Sequence, residues 1–266
     1  MKAYLDLVDR VLKNGIRKTN RTGIDTISSF AESYTADLSE GYPLLTTKRV
    51  PFRSVILELL WYLRGEDHIR WLRDEQDCHI WDAWADENGH VGPIYPVMWR
   101  RFPYQDQSTP KECDQIARVI DLIKNEPDSR RMVVSAWHPG LLGEMALPPC
   151  HVMFIFNVVD SRLNCHLTQR SGDIALGIPF NLACYSALTI AIAGVTGLKP
   201  GVFAHTIVDA HIYTNHVDGL KEQLKREPKT LPELRIQQKP IDELTFEDFE
   251  LISYDPHPRI SFEVAV

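Results

Sequence analysis

The sequence lacks the marks of several protein classes, and each absence narrows what the chain can do. Its five cysteines (Cys78, Cys113, Cys150, Cys165, Cys184) form no close pair and no CxxC. An odd, scattered set argues against a disulfide framework and against a zinc site, so no metal is expected. Positive charge is also short. A formal charge of -7 disfavours sequence-independent nucleic-acid binding, which needs a net positive face to release counterions, so no DNA partner is expected. The longest apolar run, residues 182–198, contains Tyr185, Ser186, Thr189, Gly194, Thr196 and Gly197 and reads as a buried helix, not a membrane span. The opening segment MKAYLDLVDRVLKNG alternates apolar and charged residues at helical spacing, unlike a signal peptide, so a cytoplasmic location is expected. No internal repeat and no low-complexity linker interrupts the chain.

What is present is an ordinary globular composition, 44% hydrophobic and 24% charged over 266 residues, which suits one large domain spanning 1–266. Tyr4, Leu5, Leu7, Val8, Val11 and Leu12 fit one helical face that stops at Gly15. A strand is expected from Thr26 to Tyr34, then a helix in SVILELLWYLRG that is apolar nearly all round except at Glu58. Helical periodicity returns at 114–125, and RMVVSAW reads as a strand running into a loop at His138. Segments 152–159 and 163–170 alternate like strands joined by a tight turn at Asp160-Ser161. A buried helix from Asn181, a strand at 202–208, a helix at 215–226 and strands near 234–238, 249–253 and 260–264 follow. FPYQDQSTPKE (102–112) has the polarity of an inserted loop or small subdomain. The pattern is α+β, a single domain with a large mixed β-sheet flanked by helices.

Candidate chemistry gathers around one thiol. LPPCHVMFIFNV (147–158) places Cys150 beside His151 after two prolines, at the entrance of a strand. A cysteine becomes a nucleophile when positive charge stabilises its thiolate. Three segments offer arginine: NRTG with Arg21, PDSRR with Arg130 and Arg131, and QRSGD with Arg170. The last lies on the strand expected to pair with the one that follows Cys150, which makes Arg170 the best neighbour for the thiol. Arginine with a hydroxyl such as Ser171 also suits a phosphate.

Each feature has a plain structural reading as well. A strand-proximal cysteine is usually core, and paired arginines usually line solvated faces. Glu58 is as well explained by a salt bridge as by general acid/base work, and Asn181 in GIPFN by helix capping. His151 need not face its neighbour's side, since successive strand side chains point opposite ways. Asp209, His211 and Tyr213 alternate along VDAHIY as either a structural network or a sugar site would, and Trp81 and Trp84 suit a core anchor or a planar ligand. The residues alone indicate an enzyme with a cysteine nucleophile and a phosphorylated, electrophilic substrate.

In order along the chain, NRTG, TTKR, ELLWYLRG, IWDAWADENG, PDSRR, PPCH, TQRSGDIALGIPFN and DAHIYTNH resemble the folate-dependent, non-flavin thymidylate synthase family. The resemblance implies that Cys150 adds to C6 of dUMP, that Glu58 is the general acid/base, and that Tyr95 helps to organise proton-relaying water. Arg170, Asn181 and Asp173 complete the implied catalytic set. The implied dUMP site comprises Arg21, Gln169, Arg170, Ser171, Asp173, Asn181, His211 and Tyr213. Arg130 and Arg131 are implied to reach across from a second copy, giving an obligate homodimer joined through a face of the sheet. Asn181 would read the uracil O4/N3 edge. Trp81, Trp84, Asp173, Leu176, Gly177, Phe180 and the terminal Val266 would hold the co-substrate, 5,10-methylenetetrahydrofolate. The implied reaction is reductive methylation of dUMP to dTMP, with release of dihydrofolate.

The chain departs from the family's usual residues at Pro96, Met98, His138, Ile155, Thr168 and Val208. Most of these are expected to flank the pocket, so a dUMP hydroxymethylase, in which water captures the methylene, is an alternative. Retention of Trp81 and Val266 favours the synthase through water exclusion. A homodimer that binds nucleotide or RNA without turnover is a third reading, opposed by the presence of Cys150, Glu58, Arg170 and Asn181.

Overall fold

Amphipathic spacing builds the first element: α1 (Lys2–Asn14) buries Tyr4, Leu7, Val8 and Val11 along one face and stops at Gly15. The structure, a computed structural model, describes residues 1–264. After α1 come β1 (Ile16–Lys18), β2 (Thr26–Asp37), α2 (Phe52–Arg64) and α3 (Tyr95–Arg100). A hairpin of β3 (Phe102–Asp106) and β4 (Thr109–Cys113) leads to α4 (Gln115–Asn125) and β5 (Val133–Ser135). Then follow β6 (His151–Val159), β7 (Arg162–Asp173), α5 (Gly177–Thr196), β8 (Lys199–Tyr213), α6 (Val217–Leu224), β9 (Glu233–Ile236) and β10 (Phe249–Ile252). Helix starts and stops follow side-chain and backbone chemistry. Gly65 closes α2 in the left-handed region, and Asp114 caps α4 by accepting from the Ala117 amide.

The main sheet has six strands in the order β1-β2-β8-β7-β6-β5. All neighbours are antiparallel except β7 and β8, whose parallel pairing requires a crossover that α5 provides. The β6–β7 turn places Asp160 and Ser161 at φ +49° and +57°, the two left-handed positions that suit a two-residue hairpin. Gly201 sits where β7 and β8 slip register: a Cβ there would come within 2.2 Å of Asn164 Oδ1, which accepts from the Val202 amide.

The two faces of this sheet differ. α5 packs on β7 and β8, burying Phe154, Phe156, Leu167, Phe203, His205 and Ile207. On the opposite face Ile155, His166, Thr168 and Thr206 are only partly covered and Val208 is exposed.

Three expectations need correction. The long helix begins at Gly177, not Asn181, because Pro179 falls in its first turn, where no amide bond is lost. Asn181 therefore lies inside α5 and does not cap it. The segment 260–264 forms no strand; the alternation of Ile260, Phe262 and Val264 arises because these residues line a cavity. FPYQDQSTPKE is no subdomain but the exposed β3–β4 hairpin.

Candidate active site

The two prolines before the thiol are held from one side. Arg170 Nη2 donates to the Pro148 carbonyl (2.7 Å), Nε to the Pro149 carbonyl (2.9 Å), and its backbone amide to the Cys150 carbonyl (2.9 Å). From the other side the Tyr95 hydroxyl, on α3, accepts from the amides of Cys150 (2.7 Å) and His151 (3.4 Å). Immediately afterwards β6 slips register against β7 between His151 and Met153, a bulge that re-aims the chain at the mouth of the strand. Cys150 thus sits at a fixed corner on the wall of a cavity of about 820 Å³. Burial raises its thiol above the ordinary value, and the nearby Arg170 and Arg21 pull the other way without winning. The cations foreseen for the thiol are present, but they do not make it a thiolate in the free protein.

Glu58 enters the same cavity from α2, whose other inward residues are apolar. Trp81 Nε1 donates to it at 2.9 Å, and no cation pairs with it among the described residues, which speaks against the salt-bridge reading. Burial pushes its carboxyl up to about 7, opposed by Trp81 and Tyr62. Such a group exchanges a proton near neutrality. Trp81 in turn packs against Trp61 (5.2 Å between rings), Trp84 (5.4 Å) and Tyr95 (6.0 Å), so the carboxyl is framed by aromatic edges.

Asn181 lies against His151, and its buried Oδ1 makes no properly formed hydrogen bond among the described residues. His151 Nδ1 is likewise without a partner; burial lowers this imidazole to about 3, with Asn181 opposing, so it is neutral. Unpartnered buried polar atoms are costly, and these two point to a polar ligand group. Farther along, β8 presents Asp209, His211 and Tyr213 to the cavity from one side of the strand.

Asp173 ends β7, and its Oδ1 accepts from the amides of Ala175 (2.9 Å) and Leu176 (3.4 Å), fixing the turn into α5. Around it are residues not singled out from the sequence. Lys48 is buried, donates to the Ala175 carbonyl (2.5 Å) and sits 4.7 Å over the Phe262 ring. Burial lowers its ammonium to about 8, with Asp173 opposing. His216 Nδ1 lies 3.7 Å from Asp173, and its Nε2 bonds to the Glu263 carbonyl at 2.8 Å. Tyr62, Arg49, Arg259 and Phe262 also line the cavity. Lys48 follows Thr46 and Thr47 in TTKR, and nothing local in the sequence marks it as buried, although a buried lysine needs a reason.

The cavity therefore unites Arg21, Glu58, Trp81, Trp84, Tyr95, Cys150, Gln169, Arg170, Ser171, Asp173, Leu176, Gly177, Phe180, Asn181, His211 and Tyr213. Arg130 and Arg131 are exposed and do not line it within this chain, and Val266 lies outside the described residues. The departures do not flank the pocket as expected. Pro96 and Met98 are buried in α3, where proline at the second position costs no helix bond; His138 packs on Phe102 (5.3 Å); Ile155, Thr168 and Val208 lie on the far face of the sheet. With that geometry in place, the sequence comparison is direct: a family model described as thymidylate synthase matches residues 2–266, and the chain belongs to the thymidylate synthase family, whose members are one-carbon transferases.

Proposed function

We propose that the protein methylates dUMP reductively to dTMP, with 5,10-methylenetetrahydrofolate as donor of both carbon and hydride. The observation that carries this reading is the convergence, in one cavity, of Cys150, the raised carboxyl of Glu58, and the unpartnered Asn181 amide oxygen. Arg21, Arg170 and Ser171 receive the phosphate, and His211 and Tyr213 the sugar hydroxyl. The Asn181 amide offers a donor and an acceptor to the uracil O4/N3 edge, which satisfies its orphaned oxygen.

Cys150 loses its proton as it adds to C6 of the pyrimidine, leaving C5 nucleophilic. Because burial keeps the free thiol protonated, attack is coupled to nucleotide binding, which spares the resting thiol from side reactions. Glu58 moves the protons that the pyrimidine gains and loses, at a pKa matched to neutral pH. The wall of Trp81, Trp84 and Phe180, with Gly177 beside it and Asp173 at its edge, fits a planar folate. When bound, reduced folate supplies the one-carbon unit and the hydride. The aromatic wall and the segment carrying Phe262 exclude water from that step.

Homodimerisation is part of the proposal. Two chains joined through the far face of the sheet cover Ile155 and Val208, and Arg130 and Arg131 of each chain complete the other's phosphate site. None of the departures is among the residues that line the cavity, which supports the synthase reading over the hydroxymethylase alternative. The test is turnover of dUMP with methylenetetrahydrofolate, followed by the absorbance of dihydrofolate, alongside Cys150→Ser. Dihydrofolate formation that vanishes in the variant is expected; dUMP binding with no turnover by the wild type would make the chain a binder only.

A further inference from the structure

Behind Gln169 runs a polar chain that the reaction does not account for. It crosses three neighbouring strands: Tyr34 on β2, His205 on β8 and Gln169 on β7, all buried on the α5 side of the sheet. The Tyr34 hydroxyl lies 2.9 Å from His205 Nδ1, and His205 Nε2 lies 2.9 Å from Gln169 Oε1. The amide closes the chain, as Gln169 Nε2 donates to the Ser171 carbonyl at 3.0 Å.

Chemistry fixes every donor along this line. A carbonyl only accepts, so the Ser171 contact assigns the amide nitrogen of Gln169 and leaves its oxygen facing His205. An amide oxygen also only accepts, so His205 carries its proton on Nε2. Nδ1 is then an acceptor, and Tyr34 must donate to it. Burial holds His205 far below the ordinary histidine range, so the ring stays neutral and the pattern does not switch near physiological pH. Gly172 leaves room for the result: a Cβ there would stand 3.3 Å from Gln169 Nε2 and 2.6 Å from Ile178 Cδ1. Gln169 lines the cavity, and its Nε2 has a second N–H that the Ser171 bond does not use.

We infer that Tyr34 and His205 are positioning residues that lock the Gln169 amide so that its second N–H is presented to the bound pyrimidine nucleotide. The inference rests on the nucleotide reading of the cavity. Neither residue touches the cavity, so both act only through Gln169. Their effect falls on nucleotide affinity and leaves folate affinity alone, because the remaining walls of the cavity do not depend on them.

The experiment is a double-mutant cycle on dUMP dissociation constants, measured calorimetrically with the full-length protein: wild type, Tyr34→Phe, Gln169→Leu and the double variant. Tyr34→Phe keeps the ring and removes only the donor. It is expected to weaken dUMP binding about fivefold in the wild-type background, the scale of one buried hydrogen bond, and by less than about twofold once Gln169 is Leu. A general packing role for Tyr34 gives the same penalty in both backgrounds, and that additivity would overturn the inference. Nitrogen-15 spectra of the His205 ring give a second readout that needs no variant: the Nε2-protonated tautomer is expected, and the Nδ1-protonated tautomer overturns the chain of donors. Failure of the wild type to bind dUMP overturns the nucleotide reading itself and this inference with it, whereas binding with additive penalties overturns the inference alone.

Discussion

On the side of the sheet that packs against α5, polar residues are fixed by partners from several elements: Arg170 by two proline carbonyls, Tyr95 by two amides, Glu58 by Trp81. On the opposite side, Ile155, Thr168 and Val208 face outward, and His166 meets Thr206 across β7 and β8 at 3.0 Å. Three of the six departures, Ile155, Thr168 and Val208, lie on the second side, while Pro96 and Met98 are buried in α3 and His138 packs on Phe102. The contrast has a physical cause. A reacting group displaced by an ångström loses much of its rate, whereas a face that meets only another copy of itself can change in both copies at once and stay complementary. If the far face is the homodimer surface proposed above, divergence at Ile155, Thr168 and Val208 bears on that surface and leaves the reaction alone.

The contrast is sharpest at the thiol. Cys150→Ser is expected to lower turnover by on the order of 10⁴-fold or more, because the hydroxyl is a far weaker nucleophile at neutral pH, while the melting temperature stays close to wild type. Rate assays beside thermal melts check both halves. Next comes Glu58→Gln, expected to cost about 10²- to 10⁴-fold in kcat and to remove the inflection near pH 7 from the wild-type rate profile. Its stability effect has the opposite sign. Burial raises this carboxyl, so the folded protein keeps a proton that the unfolded chain releases once the pH passes the ordinary carboxylate range. Stability from this group is full below that range and is lost as the pH rises to about 7. Glu58→Gln should match wild type at about pH 4 and exceed it by on the order of 1–3 kcal/mol at about pH 8, measured by urea unfolding.

Smaller effects probe the far face. Ile155→Asp with Val208→Asp is expected to yield monomers in sedimentation and to raise KM for dUMP about tenfold or more, since each site would lose the other chain's Arg130 and Arg131. Co-expressing Cys150→Ser with Arg130→Ala/Arg131→Ala should restore about a quarter of wild-type activity, because half the dimers are mixed and each mixed dimer holds one complete site. No recovery would place both arginines outside the site. Ile155→Gln, a single polar change on the far face, should change KM for dUMP by no more than about twofold; a larger shift would connect the far face to the pocket.

Much of this was legible in the sequence. The amphipathic spacing of α1, the stops at Gly15 and Gly65, the Asp160-Ser161 turn and the Arg170–Cys150 adjacency all follow from short-range rules. What escaped depends on contacts far apart in the chain. Ile260, Phe262 and Val264 alternate like a strand, yet they face a cavity and not a ladder. Lys48 is buried against the Ala175 carbonyl and Phe262, neighbours that no local pattern reveals. The departures were misplaced for the same reason: residues next to site motifs in sequence fall on the wrong face of a strand half the time. Tyr34, His205 and Gln169 are unremarkable separately and gain meaning only once β2, β8 and β7 lie side by side.

The central claim is that the pocket retains hydride transfer although the sheet's far face has changed. The most direct measurement is the mass of the nucleotide product formed from dUMP and methylenetetrahydrofolate deuterated at folate C6. The account predicts dTMP with one deuterium in its methyl group and one dihydrofolate per turnover. Unlabelled 5-hydroxymethyl-dUMP with tetrahydrofolate would contradict it and show that water, not hydride, reaches the one-carbon unit.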